Sequence, residues 1–160
     1  MTEPPDADRG ANVRFPPPFV FLGFALLGAA VQYVSTPLHL PVSRGITIAA
    51  GIVAIGAAFA LVLAARNLFA RTGQNPRPWT PTPELVLAGP YRYTRNPMYV
   101  GMTLFQIGLG LALDNAWIVL LSPAALLAVH LIAVRPEERY LTAKFGADYT
   151  AYLAQVRRYI

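Results

Sequence analysis

The stretch Ile46 to Phe69, ITIAAGIVAIGAAFALVLAARNLF, decides the class of this protein, because it carries no charge before Arg66. As a helix it exceeds the roughly 20 residues needed to cross a bilayer. A run this uniformly apolar has no face to give to water, so it belongs in lipid, its backbone hydrogen bonds closed within one helix. Outward from it the pattern repeats. Phe19 to Val34 is another apolar run. Tyr99 to Leu113 is shorter, roughly 22 Å as a helix against a hydrocarbon core of about 30 Å, so it is either a short span or a re-entrant half. After a polar turn at Asp114 and Asn115, Ala116 to Val134 returns as a fourth apolar run, with Pro123 as a kink site. The expected fold is all-α and membrane-integral, with about four transmembrane helices.

The 160 residues are 55% hydrophobic and 13% charged, about one domain in length and too apolar for an ordinary soluble one. With no cysteine, disulfide frameworks, Cys-ligated zinc and thiol catalysis are excluded, and two histidines leave little room for a metal centre. The net charge of +5 does not point to nucleic acid, because the basic residues are scattered between apolar runs and form no stripe. Residues 1–18 hold Pro4, Pro5, Pro16, Pro17 and Pro18 with several charges, a composition expected to form a disordered cytosolic tail. Residues 19–160 then form a single membrane domain. The first apolar run is read as a retained helix. Gly28, Ala29 and Ala30 are small enough for signal cleavage, but the region before them is long, proline-rich and not clearly basic.

Orientation follows from the basic residues. Arg44 alone sits in the first loop and none sits at the Asp114 turn, so twelve of the thirteen fall on one side of a four-span chain. Their bias toward the cytoplasm puts both termini and the central loop inside. The expected setting is a bacterial or archaeal inner membrane.

Residues 70–98 read as an ordered surface loop, rich in proline and ending in a basic aromatic cluster. Beyond Val134 a new helix is expected, with Pro136, Glu137 and Glu138 in its first turn, where proline is tolerated and acids suit the dipole. Leu141, Phe145, Tyr149, Tyr152, Leu153 and Val156 recur at spacings of three and four, making it amphipathic, with Gly146 as a bend. It lies on the membrane surface or folds over the central loop. Two clusters then face one cytoplasmic edge, Arg95 to Gly101 and the Glu137, Glu138 pair. Adjacent carboxylates at the end of a membrane helix either reach water or meet cations.

The series Gly89, Pro90, Tyr91, Arg92, Tyr93, Thr94, Arg95, Asn96, Pro97, Met98, Tyr99, Val100, Gly101, followed by Glu137, Glu138 and then Phe145, Gly146, Tyr149 and Tyr152, resembles the isoprenylcysteine carboxyl methyltransferase and phospholipid methyltransferase superfamily. The resemblance covers roughly residues 66–160. It implies an S-adenosylmethionine-dependent methyltransferase, with Arg95, Asn96, Pro97, Tyr99, Gly101, Glu137 and Glu138 around the cofactor and no metal. It also implies a membrane lipid or lipidated substrate, such as a prenylcysteine-like carboxylate or another lipid acid. A phospholipid amine is the alternative. Rival readings are an NADPH-binding sterol-reductase-like protein, for which the chain is short, and a non-enzymatic membrane subunit.

Residue chemistry is consistent with these roles. Arg95 suits a carboxylate, and the glutamates suit ribose hydroxyls or an ammonium. Tyr99 offers a π face or a hydroxyl to a sulfonium. Many eukaryotic relatives carry histidine where this chain has Asn96, which cannot take a proton near neutral pH. That absence favours an acceptor already anionic, with Glu137, Glu138, Tyr99, His130 or water left as candidate bases. The catalytic candidates are Tyr99 and His130, the latter equally read as a histidine bonded to a neighbouring hydroxyl. Gly108 and Gly110 are read as helix-packing positions. Trp79 and Trp117 are read as interface anchors, and Arg157 and Arg158 as lipid-facing charge.

Overall fold

Each helix starts and stops where local chemistry dictates. In a computed structural model, which describes residues 10–13, 15–35 and 37–159, the first helix (α1, Pro17–Val34) opens with proline in its first turn. There the missing N–H costs nothing. The second (α2, Arg44–Arg71) closes on Gly73 at φ 68°, with the Gln74 N–H bonded to the Phe69 carbonyl at 2.8 Å, a Schellman stop. The third (α3, Pro97–Ala112) again begins with proline and closes the same way on Asp114, at φ 54°, with the Asn115 N–H on the Gly110 carbonyl. Asn115 then caps the fourth helix (α4, Ala116–Val129), its side-chain oxygen accepting from the Ile118 N–H. Such a cap contributes about 1 kcal/mol. A π-helical turn, His130–Val134, carries α4 without a break into the last helix (α5, Arg135–Gln155).

Three helical stretches are long and apolar enough to cross a membrane, Pro17–Val34, Arg44–Arg71 and the apolar part of Ala116–Gln155, and α3 is a shorter apolar helix. The described residues form no strand beyond one bridge between Thr94 and Arg157. Leu22, Leu26, Ile52, Val53, Phe59, Leu120 and Leu127 point outward and exposed, as lipid-facing side chains do. This is a helical membrane protein.

Packing is intimate where side chains are small. α2 lies against α3, and a Cβ on Gly51 would meet the Gly108 carbonyl oxygen at 2.7 Å, so the two backbones touch. α1 lies against α4, with Gly28 over the Ile118 backbone. Pro123 leaves the Val119 carbonyl without its helical donor, and the Ser122 hydroxyl bonds that oxygen at 2.7 Å. At the far end of the bundle from Arg95, Asp114 ties two loops together. It accepts from His39 Nδ1 at 2.9 Å and from the Leu40 N–H at 3.1 Å, with Arg44 3.7 Å away.

The expectation of a disordered tail over residues 1–18 falls in part outside the described residues. Residues 10–13, which are described, pack against the loop and the helices. Ala11 and Val13 are buried in the core with Phe21, Tyr99 and Val129, and the Ala11 N–H bonds the Pro78 carbonyl at 2.8 Å. Ala11 and Val13 are apolar, and the loop gives them a surface to cover, whereas Phe15 stays exposed.

Candidate active site

α5 turns back over the central loop. Its phenols make the attachment, with the Tyr152 hydroxyl donating to the Tyr91 carbonyl at 2.7 Å and the Tyr140 oxygen accepting from the Thr82 N–H at 3.2 Å. Gly146, at φ 51° and ψ −118°, bends α5 so that Tyr140 and Tyr149 both face inward. Between loop, α5 and the head of α3 lies a cavity of about 370 Å³, within the size range of small-molecule sites.

Arg95, Asn96, Pro97, Tyr99 and Glu137 all line this cavity. Pro97 starts α3, which sets the direction of Tyr99 two residues on. The Tyr99 hydroxyl donates to Glu137 Oε1 at 2.5 Å, joining the motif to the acidic pair. The Glu137 carboxyl is pushed up to about 7, first by burial and then by the charge of Glu138, against the opposing Tyr99 bond. It is therefore poised to gain or lose a proton near neutrality. Tyr91 and Tyr149 complete the wall. Their phenols are pushed up from the ordinary value, by burial first and then by the charges of Glu137 and Glu138 respectively, so both stay protonated.

Glu138 does not line the cavity but stands behind it. It meets Arg95 at 3.5 Å and receives both Nε and Nη2 of Arg158, at 3.0 and 2.8 Å. The segment after α5 is laced to the motif as well. Arg95 N–H donates to the Arg157 carbonyl, and both Thr94 Oγ1 and Asn96 Nδ2 donate to the Arg158 carbonyl. The Asn96 amide group therefore holds the segment after α5 against the motif. Arg95 keeps its Nε buried and without a partner among the described residues. A buried donor of this kind calls for an acceptor.

Other expected residues lie elsewhere. Gly101 faces α2, where a Cβ would approach the Ala58 carbonyl oxygen at 3.2 Å, so its smallness serves helix packing. His130 is not among the cavity-lining residues, and its Nδ1 is 3.0 Å from the Tyr159 hydroxyl. Trp79, expected as an interface anchor, lines the cavity, and Arg158, expected to face lipid, pairs with Glu138. A charge count offered one signal for Arg158. Arg95 beside two glutamates leaves an excess carboxylate that one further cation balances. No group of three or more His, Cys, Asp or Glu among the described residues is placed to hold a metal ion.

The architecture defines an integral membrane protein with a ligand-sized cavity at one end of its helices, largely apolar but with Arg95, Asn96 and Glu137 in its wall. Residues 46–148 match the phospholipid methyltransferase family, and the chain belongs to it, within the superfamily that also holds the isoprenylcysteine carboxyl methyltransferases. That match runs from α2 through the acidic pair and stops before Tyr149, Tyr152 and Arg158. No curated protein and no solved structure matches the chain.

Proposed function

We propose that this protein transfers a methyl group from S-adenosylmethionine to a hydrophobic acceptor held in the membrane, with residues 66–160 as the cofactor half of one domain. The observation that carries the reading is the convergence of Arg95, Tyr99 and Glu137 on one cavity, with Arg95 Nε unpartnered. The donor set fits the cofactor. Arg95 suits its carboxylate, Glu137 its ammonium or ribose hydroxyls, and the Tyr91, Tyr149 and Trp79 walls its adenine. When bound, the cofactor supplies an electrophilic methyl group on a sulfonium. The protein's own work is binding, alignment and exclusion of water, and Asn96, Pro97 and Glu138 act by fixing the groups that line the cavity.

Calorimetry on the detergent-solubilised protein tests this reading. S-adenosylmethionine should bind and NADPH should not, and Arg95→Ala should weaken binding by roughly 1.5 to 3 kcal/mol, the range for a hydrogen bond to a charged group. Unchanged affinity in the variant would return Arg95 and the acidic pair to a purely structural role.

A second reading concerns the acceptor. A carboxylate-like acceptor is expected if the site lacks a base, as the asparagine at position 96 suggests. Glu137, with a carboxyl near 7 and inside the cavity, supports an amine instead, because it can take the proton that an ammonium must lose. Single-turnover rates between about pH 6 and pH 9 separate the two. A rise through about 7 that Glu137→Gln removes favours the amine, and a flat profile favours the carboxylate.

A further inference from the structure

Beside the cavity runs a second hollow of about 300 Å³ between α1, α2 and α3. Pro18 and Met102 line both, so the two lie side by side with only these side chains between them. Its walls are Phe21, Leu22, Phe59, Val62 and Phe105, and Leu22 and Phe59 are exposed on the outer face of the helices. It is thus an apolar groove open toward lipid. One residue breaks the pattern. Gln106 is 1% exposed and lines the groove; its Nε2 donates to the Ile118 carbonyl at 3.3 Å, and its Oε1 has no partner among the described residues. Turning the amide over would set oxygen against oxygen at Ile118, so the free atom is the acceptor. A buried amide oxygen left unmatched is destabilising, a cost that a ligand bearing a donor removes.

We infer that this groove takes the hydrocarbon chain of the lipid substrate, and that Gln106 is its specificity determinant, accepting a hydrogen bond from a hydroxyl or amide N–H on that chain. Gln106 lies seven residues along α3 from Tyr99, so the donor sits about 10 Å from the polar end of the lipid. The inference rests on the reading that the cavity receives that polar end. The apolar walls select a chain, and the lone oxygen selects which chain. A saturated chain leaves Oε1 unmatched.

The test uses the full chain in detergent and native mass spectrometry with three probes: octadecanoate, the same chain with a hydroxyl at its tenth carbon, and a chain of equal length with an amide there. The parent protein should retain a donor-bearing probe about tenfold more tightly than plain octadecanoate. Whichever of the hydroxyl and amide probes is preferred identifies the source of the donor. Gln106→Met, which keeps the volume, should abolish the preference, and Ala25→Phe, which fills the groove from α1, should weaken all three probes while S-adenosylmethionine affinity stays unchanged. Equal retention of all three by the parent would overturn the role of Gln106 and assign its oxygen to a buried water. Unaltered chain binding in Ala25→Phe would overturn the groove, even where Gln106→Met does not fold. Cofactor calorimetry on the same samples keeps the readings apart. A parent that selects chains but binds no S-adenosylmethionine defeats the proposed function, and one that binds cofactor but selects no chain defeats this inference alone.

Discussion

Glu137 is where local environment most alters a side chain. Its carboxyl moves from 4.5 to about 7 on folding, with burial as the main cause. Between those values the folded protein holds a proton that the unfolded chain has released, so this group favours folding fully below about 4.5 and progressively less as pH rises through about 7. Asp114 has the opposite sign. Its carboxyl is lowered, first by the Leu40 N–H and then by His39, so its contribution is lost only in acid, as pH falls below the ordinary carboxylate range. The thermal midpoint in detergent should therefore fall between about pH 5 and pH 8 in the parent and stay flatter in Glu137→Gln. A parent midpoint that climbs over that interval contradicts the buried-carboxyl account. At this scale the sequence pattern brings Arg95, Tyr99 and Glu137 into view, because a motif and an acidic pair stand out from apolar surroundings. The bonds of Asn96 and Glu138 to Arg158 belong to no local pattern, since the partners are 20 to 62 residues apart, and only the charge balance points to the second.

Apolar runs and proline positions were enough to anticipate every long helix to within a few residues, because both report on local backbone chemistry. The bend at Gly146 was legible for the same reason. The α4–α5 junction was not. Its π turn adds backbone length without changing the hydrophobic pattern, so side-chain periodicity passes over it. Gly146 also allows a clean measurement, since a Cβ there would meet nothing within 4 Å while its φ of 51° and ψ of −118° suit glycine alone. Gly146→Ala should then destabilise the protein by about 1–3 kcal/mol through backbone strain alone. Thermal unfolding with the Tyr152 to Tyr91 contact followed by tyrosine fluorescence would report it. A variant as stable as the parent would mean that α5 bends for another reason.

For the whole molecule, orientation is the first consequence of its charge distribution. If the chain crosses four times, twelve of its thirteen basic residues fall on one side, and reporter fusions after residues 75 and 160 are then expected to report cytoplasm, and those after 40 and 115 the opposite face. A fusion after 160 that reports the outer face would part the acidic pair from the loop and exclude a four-span crossing. The π turn has a further consequence, one of angular phase. It sits between the membrane-crossing part of α4 and the half of the chain that closes the cavity. The surplus residue is taken up within one widened turn, so the helices on either side keep the phase of an unbroken α-helix one residue shorter. Deleting Leu131, which faces outward, should therefore let a plain α-helix form with Glu137 still beside Tyr99 and Glu138 still beside Arg95. Such a protein should fold in detergent and keep the parent's S-adenosylmethionine heat in a calorimeter, and loss of that heat would mean that the widened turn itself, and not the phase it preserves, holds the cavity together.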